Sequence, residues 1–268
     1  MTLSPAEKQV TFLWRSEDAT LLASGAFAVS LIYVNYAYSG WNAATYISGE
    51  LAAPQRSLPW VLGISTTLVA ALYCLLNFVF LSVAPIDAMV GKVEVGVIAA
   101  NFAFGSSLGT FMGLLLALLL ISTVSAMILA GPRVLHRIGQ DYPRFAALAK
   151  ENADGIPVPA IALQSATALA FLWSASFEQI LIFSGATMAL NTFATVLGLF
   201  VLRWRRPDIE RPFKVSLYPL TPLIFLIITG WTLTYVVIQR PIEALISAAV
   251  VGSGGAFYPV SYTHLTLP

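Results

Sequence analysis

The feature that most constrains this chain is a series of long segments without a charged side chain. The longest segment, residues 95–132, contains 38 residues and no Asp, Glu, Lys or Arg. A helix needs about 20 apolar residues to cross the ~30 Å hydrocarbon core of a bilayer. Charged residues make up 10% of the 268-residue chain, against roughly 25% in soluble globular domains. The chain is therefore predicted to be an all-α integral membrane protein.

The uncharged segments divide into seven predicted transmembrane helices. They occupy residues 22–48, 59–84, 107–129, 157–173, 177–202, 218–238 and 241–258, which together form a transmembrane region at 22–258. Because 38 residues are too many for one crossing, residues 95–104 are assigned to a short interfacial helix. Residues 1–21 are predicted to be the remnant of an extracellular loop. Residues 260–268 match the translation of a sequencing adapter, so we interpret them as an adapter-derived tail and expect a piece of a longer protein.

The basic residues predict the orientation of these helices. Lysines and arginines are retained on the cytoplasmic side of a membrane. With seven spans, one side receives ten of them: Arg56, Arg133, Arg137, Arg144, Lys150, Arg203, Arg205, Arg206, Arg211 and Lys214. The other side receives four: Lys8, Arg15, Lys92 and Arg240. This bias predicts an outside N-terminus. As localisation we expect an integral, multi-pass protein of a bacterial-type plasma (inner) membrane.

Composition and motifs argue against an enzyme. The chain has a net charge of +1, which excludes a basic field for nucleic acid, and one cysteine, which excludes a Cys-based zinc site. It has no His-Glu-x-x-His motif, no glycine-rich phosphate loop and no paired intramembrane carboxylates. We expect no catalytic residue, no metal and no cofactor.

The first predicted span has an unusually polar centre. Residues 35–42 place two amides, two tyrosines, a serine, a glycine and an indole at mid-bilayer depth. A helix broken here would expose carbonyls that carry partial negative charge and bind a small cation such as an ammonium group. The alternative is a continuous helix that packs through the small residues Ala37, Gly40 and Ala44. Composition alone leaves both interpretations open.

Three ordered segments carry a resemblance to a known family. The first comprises Tyr36-Ala37-Tyr38-Ser39-Gly40-Trp41-Asn42 followed by Glu50, Pro54 and Gln55-Arg56-Ser57-Leu58-Pro59. The second is Gly131-Pro132-Arg133-Val134-Leu135 with Gly139-Gln140-Asp141, and the third runs from Leu202 to Lys214. In this order and spacing they resemble amino acid permeases of the amino acid-polyamine-organocation superfamily.

The resemblance implies a twelve-helix fold whose first ten helices form two inverted five-helix repeats. This chain would then supply helices six to twelve, with the first of them broken. The resemblance assigns substrate binding to Tyr36, Ala37, Tyr38, Ser39, Gly40, Trp41, Asn42, Ser122 and Ser125. It implies that carbonyls near Tyr36 and Ser39 hold the substrate ammonium and that the Tyr36 ring is an outer gate.

The function expected from the resemblance is amino acid transport by alternating access. The partners are a small amino acid-like substrate and the lipid bilayer. Coupling to a proton or a counter-substrate stays open, as does the oligomeric state. The alternatives are an inactive truncated fragment or a membrane protein of another class, such as a polyamine or organocation carrier or a channel-like assembly.

Overall fold

The computed structural model describes residues 13–42, 53–211 and 213–262. Within these ranges the chain is helical and has no strand, which confirms the all-α class. The α-helices are α1 (Ser16–Leu22), α2 (Gly25–Ala37), α3 (Pro54–Val83), α4 (Ile86–Met89), α5 (Val95–Phe104), α6 (Ser106–Asp141), α7 (Val158–Ser174), α8 (Phe177–Arg205), α9 (Leu220–Gln239) and α10 (Pro241–Tyr262). Two 3-10 helices cover Ser39–Asn42 and Pro143–Ala149.

In the part of the chain that the structure describes, four helices are long and apolar enough to cross a membrane, namely α3, α6, α8 and α9. The pair of α1 and α2, bent by 64° at a short break, would make a fifth span. Shorter apolar helices lie at the fourth and seventh predicted spans, in α7 and in the 241–255 part of α10. The count of seven therefore stays a prediction.

Several helices extend beyond the predicted membrane spans, whose bounds stay a prediction. Helix α6 continues through the predicted loop from Gly131 to Asp141, and α3 begins at Pro54, five residues before the second predicted span. Residues 16–21, predicted as loop, form most of α1. A helix ends where its backbone hydrogen bonds end, whereas hydropathy changes where the chain meets the membrane surface.

Residues 1–12, 43–52, 212 and 263–268 lie outside the described residues. They include most of the predicted N-terminal loop, the end of the first predicted span with Glu50, and most of the adapter-like tail. The first three residues of that tail, 260–262, complete α10.

The unit that contains Thr67–Trp173 is held together by close helix packing. Helix α5 packs against α6, where a Cβ at Gly109 would clash with the side chain of Asn101. The 3-10 helix Pro143–Ala149 folds back onto the end of α6, where a Cβ at Gly139 would lie 2.6 Å from the backbone nitrogen of Ala149. Small residues therefore set the helix spacing, as is common in membranes.

The unit that contains Trp14–Thr66 and Ser174–Pro268 is built from α2, α8, α9 and α10. Its core comprises Val29, Ile32, Ala186, Ala189 and Val236, each at most 8% exposed. Gly185 on α8 lies against Ile32, a member of this core on α2. A Cβ at Gly185 would lie 2.5 Å from Cγ2 and 3.2 Å from the carbonyl oxygen of Ile32. The backbones of α2 and α8 therefore approach closely just before α2 ends.

Polar contacts join the same helices at one end. Glu178, in the first turn of α8, forms an ion pair with Arg240 between α9 and α10. The hydroxyl of Tyr33 on α2 donates a hydrogen bond to the same carboxylate at 3.5 Å. One carboxylate thus links three parts of the unit.

Large apolar side chains remain exposed on the long helices. In α6 four consecutive residues, Leu118, Leu119, Leu120 and Ile121, are 63–65% exposed. Consecutive helical residues point in different directions, so α6 presents apolar groups around much of its circumference. Exposure on this scale fits a lipid environment.

We predict opposite effects of alanine at two glycines of α8. Gly185→Ala should lower stability by about 1–3 kcal/mol because its methyl group would overpack against Ile32. Gly198→Ala should raise stability by about 0.5–1 kcal/mol, because no atom lies within 4 Å of its Cβ position and alanine favours a helix. Thermal unfolding of the purified variants measures both effects, and shifts of the same sign would contradict the packing described here.

Candidate functional site

The α-helical winding of α2 ends three residues before Gly40. The last α-helical residue is Ala37, and Tyr38 caps the helix with its N–H donating to the carbonyl of Val34 at 3.1 Å. A 3-10 helix, Ser39–Asn42, follows. The Ser39 hydroxyl donates to the Tyr36 carbonyl at 2.7 Å. Among the described residues, α-helical winding thus ends at Ala37 and does not continue to residue 42. The broken first span stays a prediction.

A cavity of about 240 Å³ lies beside this turn. Its volume is below the ~300–1,000 Å³ that holds drug-sized ligands, so it suits a small molecule. The lining side chains come from α2 and its turn, from α3, from α8 and from α9: Val34, Asn35, Tyr38, Ser39, Trp41, Thr66, Met188, Thr192 and Phe225.

Three of the predicted residues, Tyr38, Ser39 and Trp41, line the cavity. Tyr36, Ala37 and Gly40 belong to the same turn but are not among the lining residues. The Cβ of Tyr36 lies 3.7 Å from the position of a Cβ at Gly185, and the residue is 40% exposed. Asn42 lies at the end of the turn. The gating role of Tyr36 stays a prediction.

Gly40 occupies open space in this structure. A Cβ added there would meet no atom of the described residues within 4 Å. Its φ lies outside the left-handed region, unlike that of Gly91, Gly105 and Gly155. The turn thus places no steric demand for glycine at position 40.

Ser122 and Ser125 lie on α6, in the unit that contains Thr67–Trp173. Both residues are exposed. The Ser125 hydroxyl donates to the carbonyl of Ile121 at 2.9 Å, a bond within its own helix. Their contribution to a substrate site stays a prediction.

The predicted site residues did not include six of the lining residues, which are Val34, Asn35, Thr66, Met188, Thr192 and Phe225. Asn35 belongs to the polar centre of the first predicted span but was not assigned to the site. Of these residues, Thr192 was the easiest to predict from the sequence, because it is a polar residue in the middle of an apolar span. Met188 and Phe225 carry no local signal, since their place at the cavity depends on how α8 and α9 pack against α2.

A second missed feature is the bend before α2. Ser24 is the N-cap of α2, and its hydroxyl accepts a hydrogen bond from the N–H of Phe27 at 3.2 Å. Serine at this position is typical of a helix start, so the Ser24-Gly25 pair was the available signal.

The cavity has a mainly apolar lining with a few polar groups and no charged residue. None of its nine lining residues is Asp, Glu, Lys, Arg or His. The negative partial charge of the C-terminus of α2 is therefore the main fixed electrostatic feature beside it. Across the part of the chain that the structure describes, no group of three His, Cys, Asp or Glu residues is placed to hold a metal ion.

Comparison with known proteins shows the family to which the chain belongs. A sequence model described as amino acid permease matches residues 11–236. The large neutral amino acids transporter small subunit 2 of Mus musculus is 29% identical over 243 residues, which cover 87% of this chain and 44% of that protein. The chain is also 29% identical to the mouse Asc-type amino acid transporter 1, over 86% of this chain and 43% of that protein. It is 25% identical to the mouse b(0,+)-type amino acid transporter 1, over 94% of this chain and 52% of that protein.

The apolar helices, and a small cavity without charged lining residues beside the end of α2, define a membrane protein with a candidate small-molecule site. The family match extends over most of the chain, and the chain belongs to the amino acid permease family. It spans about half the length of the curated relatives it matches.

The hydroxyl of Ser39 should stabilise the turn at the end of α2. We expect Ser39→Ala to cost about 0.5–1.5 kcal/mol, because the Tyr36 carbonyl loses a hydrogen bond where the α-helix ends. Ser30→Ala is the matched control, since the Ser30 hydroxyl makes the same 2.7 Å bond to the carbonyl of Phe27 within α2. In mid-helix that carbonyl keeps its backbone partner, so the control should change stability by less than about 0.5 kcal/mol. Equal losses in thermal unfolding would show that the turn does not depend on Ser39.

Proposed function

We propose that the chain is part of a secondary transporter that moves amino acids across the membrane by alternating access. The observation that carries this proposal is the end of α2 at Ala37 beside an uncharged cavity. Non-helical backbone at membrane depth is tolerated where it lines a cavity or is buried in protein. In transporters, such interrupted helices form substrate sites near the middle of the membrane.

The substrate ammonium group is proposed to bind at the C-terminal end of α2. Carbonyls at a helix end carry partial negative charge, and an ammonium group donates up to three hydrogen bonds. In our proposal the carbonyls near Tyr36 and Ser39 provide the acceptors. The Tyr36 carbonyl also accepts the Ser39 hydroxyl, and a carbonyl has two lone pairs, so it has capacity for a second donor.

We propose a neutral amino acid as the substrate class. No charged side chain is present among the residues that line the cavity, so nothing there pairs with a charged substrate side chain. The names of the relatives support amino acid transport, and one of them specifies large neutral amino acids. No covalent catalysis belongs to this proposal, and coupling to a proton or to a counter-substrate is left open.

The arrangement in the membrane is proposed to follow the family pattern. The seven predicted spans would be helices six to twelve of a fold with two inverted five-helix repeats, with the N-terminus outside. Ser122 and Ser125 would contribute to the pocket, and Tyr36 would close it from the outer side. We place the protein in the plasma membrane. The mammalian relatives give no support for a bacterial inner membrane in particular.

A second candidate is that this chain has no transport activity alone. It is favoured by the chain length, since the alignment covers only 44% of the first relative. Saturable, competable amino acid binding by the chain expressed by itself would argue against this candidate. A polyamine carrier would instead show uptake that polyamines, and not neutral amino acids, compete for.

Filling the cavity should impair transport. In the full-length gene product, Thr192→Leu should raise the KM for amino acid uptake about tenfold or more, because its added carbons occupy space proposed for substrate. Thr195→Leu is the matched control. Both threonines lie on α8, and each donates its hydroxyl to the carbonyl four residues earlier at 2.8 Å.

Thr195 is exposed and does not line the cavity, so its variant should retain uptake. Radiolabelled uptake, normalised to the amount of folded protein in the membrane, measures the effect. Equal uptake by the two variants would place the substrate elsewhere.

A further inference from the structure

A second and larger cavity lies at the C-terminal end of α8. It has a volume of about 530 Å³ and is lined by Phe200, Val201, Arg203, Trp204 and Tyr218. Four of these side chains are apolar or aromatic, and the fifth is a cation. None of them lines the cavity beside the turn after α2.

Arg203 is held in this cavity without an anionic partner. Its guanidinium carbon lies 3.8 Å from the centroid of the Tyr218 ring, in cation–π geometry. Its Nε atom is buried and finds no acceptor among residues 13–42, 53–211 and 213–262. No acidic side chain in those ranges forms an ion pair with it. Because a buried donor without a partner is costly, Nε favours a ligand that supplies an acceptor.

The surroundings of Arg203 are typical of a membrane interface. It lies in the last turn of α8, a helix apolar enough to cross the bilayer. The neighbouring Trp204 is 82% exposed, and tryptophan and tyrosine are enriched at the headgroup level of membranes. Arg205 and Arg206 add positive charge next to it, on the side predicted to be cytoplasmic.

We propose that this cavity binds the headgroup of an anionic phospholipid. The phosphate would accept hydrogen bonds from Arg203, whose planar guanidinium is already oriented by the Tyr218 ring. The upper acyl chains would pack on Phe200 and Val201, which lie one turn or less from Arg203 toward the apolar part of α8. Basic pockets between transmembrane helices on the cytoplasmic side bind the headgroups of anionic lipids. The proposal needs only membrane residence and is independent of the transported substrate.

The test compares two arginines that are two residues apart. The full chain is purified in detergent with phosphatidylglycerol or phosphatidylcholine, and the lipids retained are counted by native mass spectrometry. Wild type should retain one phosphatidylglycerol in preference to phosphatidylcholine. Arg203→Gln should reduce that preference at least about tenfold more than Arg205→Gln, the size of one charge-assisted hydrogen bond. Arg205 is exposed, does not line the cavity and carries the same charge.

The other outcomes are equally informative. Equal losses in the two variants, or no preference in wild type, would overturn the proposal in favour of general attraction between basic residues and anionic lipid. Displacement of the lipid by excess inorganic phosphate would overturn it in favour of a soluble anion. If Arg203→Gln does not fold, Tyr218→Leu provides the test, because it removes the ring that orients the guanidinium. That variant should also lose the preference, and full retention would contradict the proposed site.

Discussion

The structure depends on how backbone polar groups are satisfied inside an apolar medium. Within hydrocarbon each N–H and C=O needs a partner, so a helix that stops there needs a compensating environment. At the end of α2, Tyr38 caps the helix, Ser39 donates to the Tyr36 carbonyl, and a small uncharged cavity adjoins the turn. The same carbonyls that are difficult to bury are suitable acceptors for an ammonium group. The free-energy cost of ending α2 in an apolar medium and its proposed role in substrate binding thus both arise from the carbonyl groups at the helix end.

The position of that turn follows from packing elsewhere. Gly185 lets α8 approach Ile32 of α2 one to two turns before the helix ends. In the same unit, Glu178 contacts Arg240 and Tyr33, the residue after Ile32, and so links α8, the α9–α10 junction and α2. These contacts place Met188 and Thr192 of α8 opposite the turn. The cavity is therefore produced by helices that are distant in sequence.

The membrane class, the helical positions and the polar centre of the first span could all be predicted from local sequence. Apolar runs favour helices in a lipid environment, and each predicted span overlaps a helix of the described residues or the bent pair. The membrane spans themselves stay a prediction. Helix ends could be predicted less accurately than helix positions. Helix α6, for example, continues through Pro132 to Asp141 in a polar segment. The bend at Ser24 had a local signal that was overlooked, whereas Phe225 reaches the cavity only through tertiary packing.

In our proposal, the C-terminal end of α2 binds the ammonium group of a transported amino acid. The most direct measurement is an experimental structure of the full-length gene product in a lipid bilayer with a bound neutral amino acid. We expect an interrupted helix at residues 38–42. The substrate nitrogen should lie about 2.7–3.2 Å from backbone carbonyl oxygens of residues 36–39. An uninterrupted α-helix through residue 42, or an amino acid bound away from this turn, would contradict it.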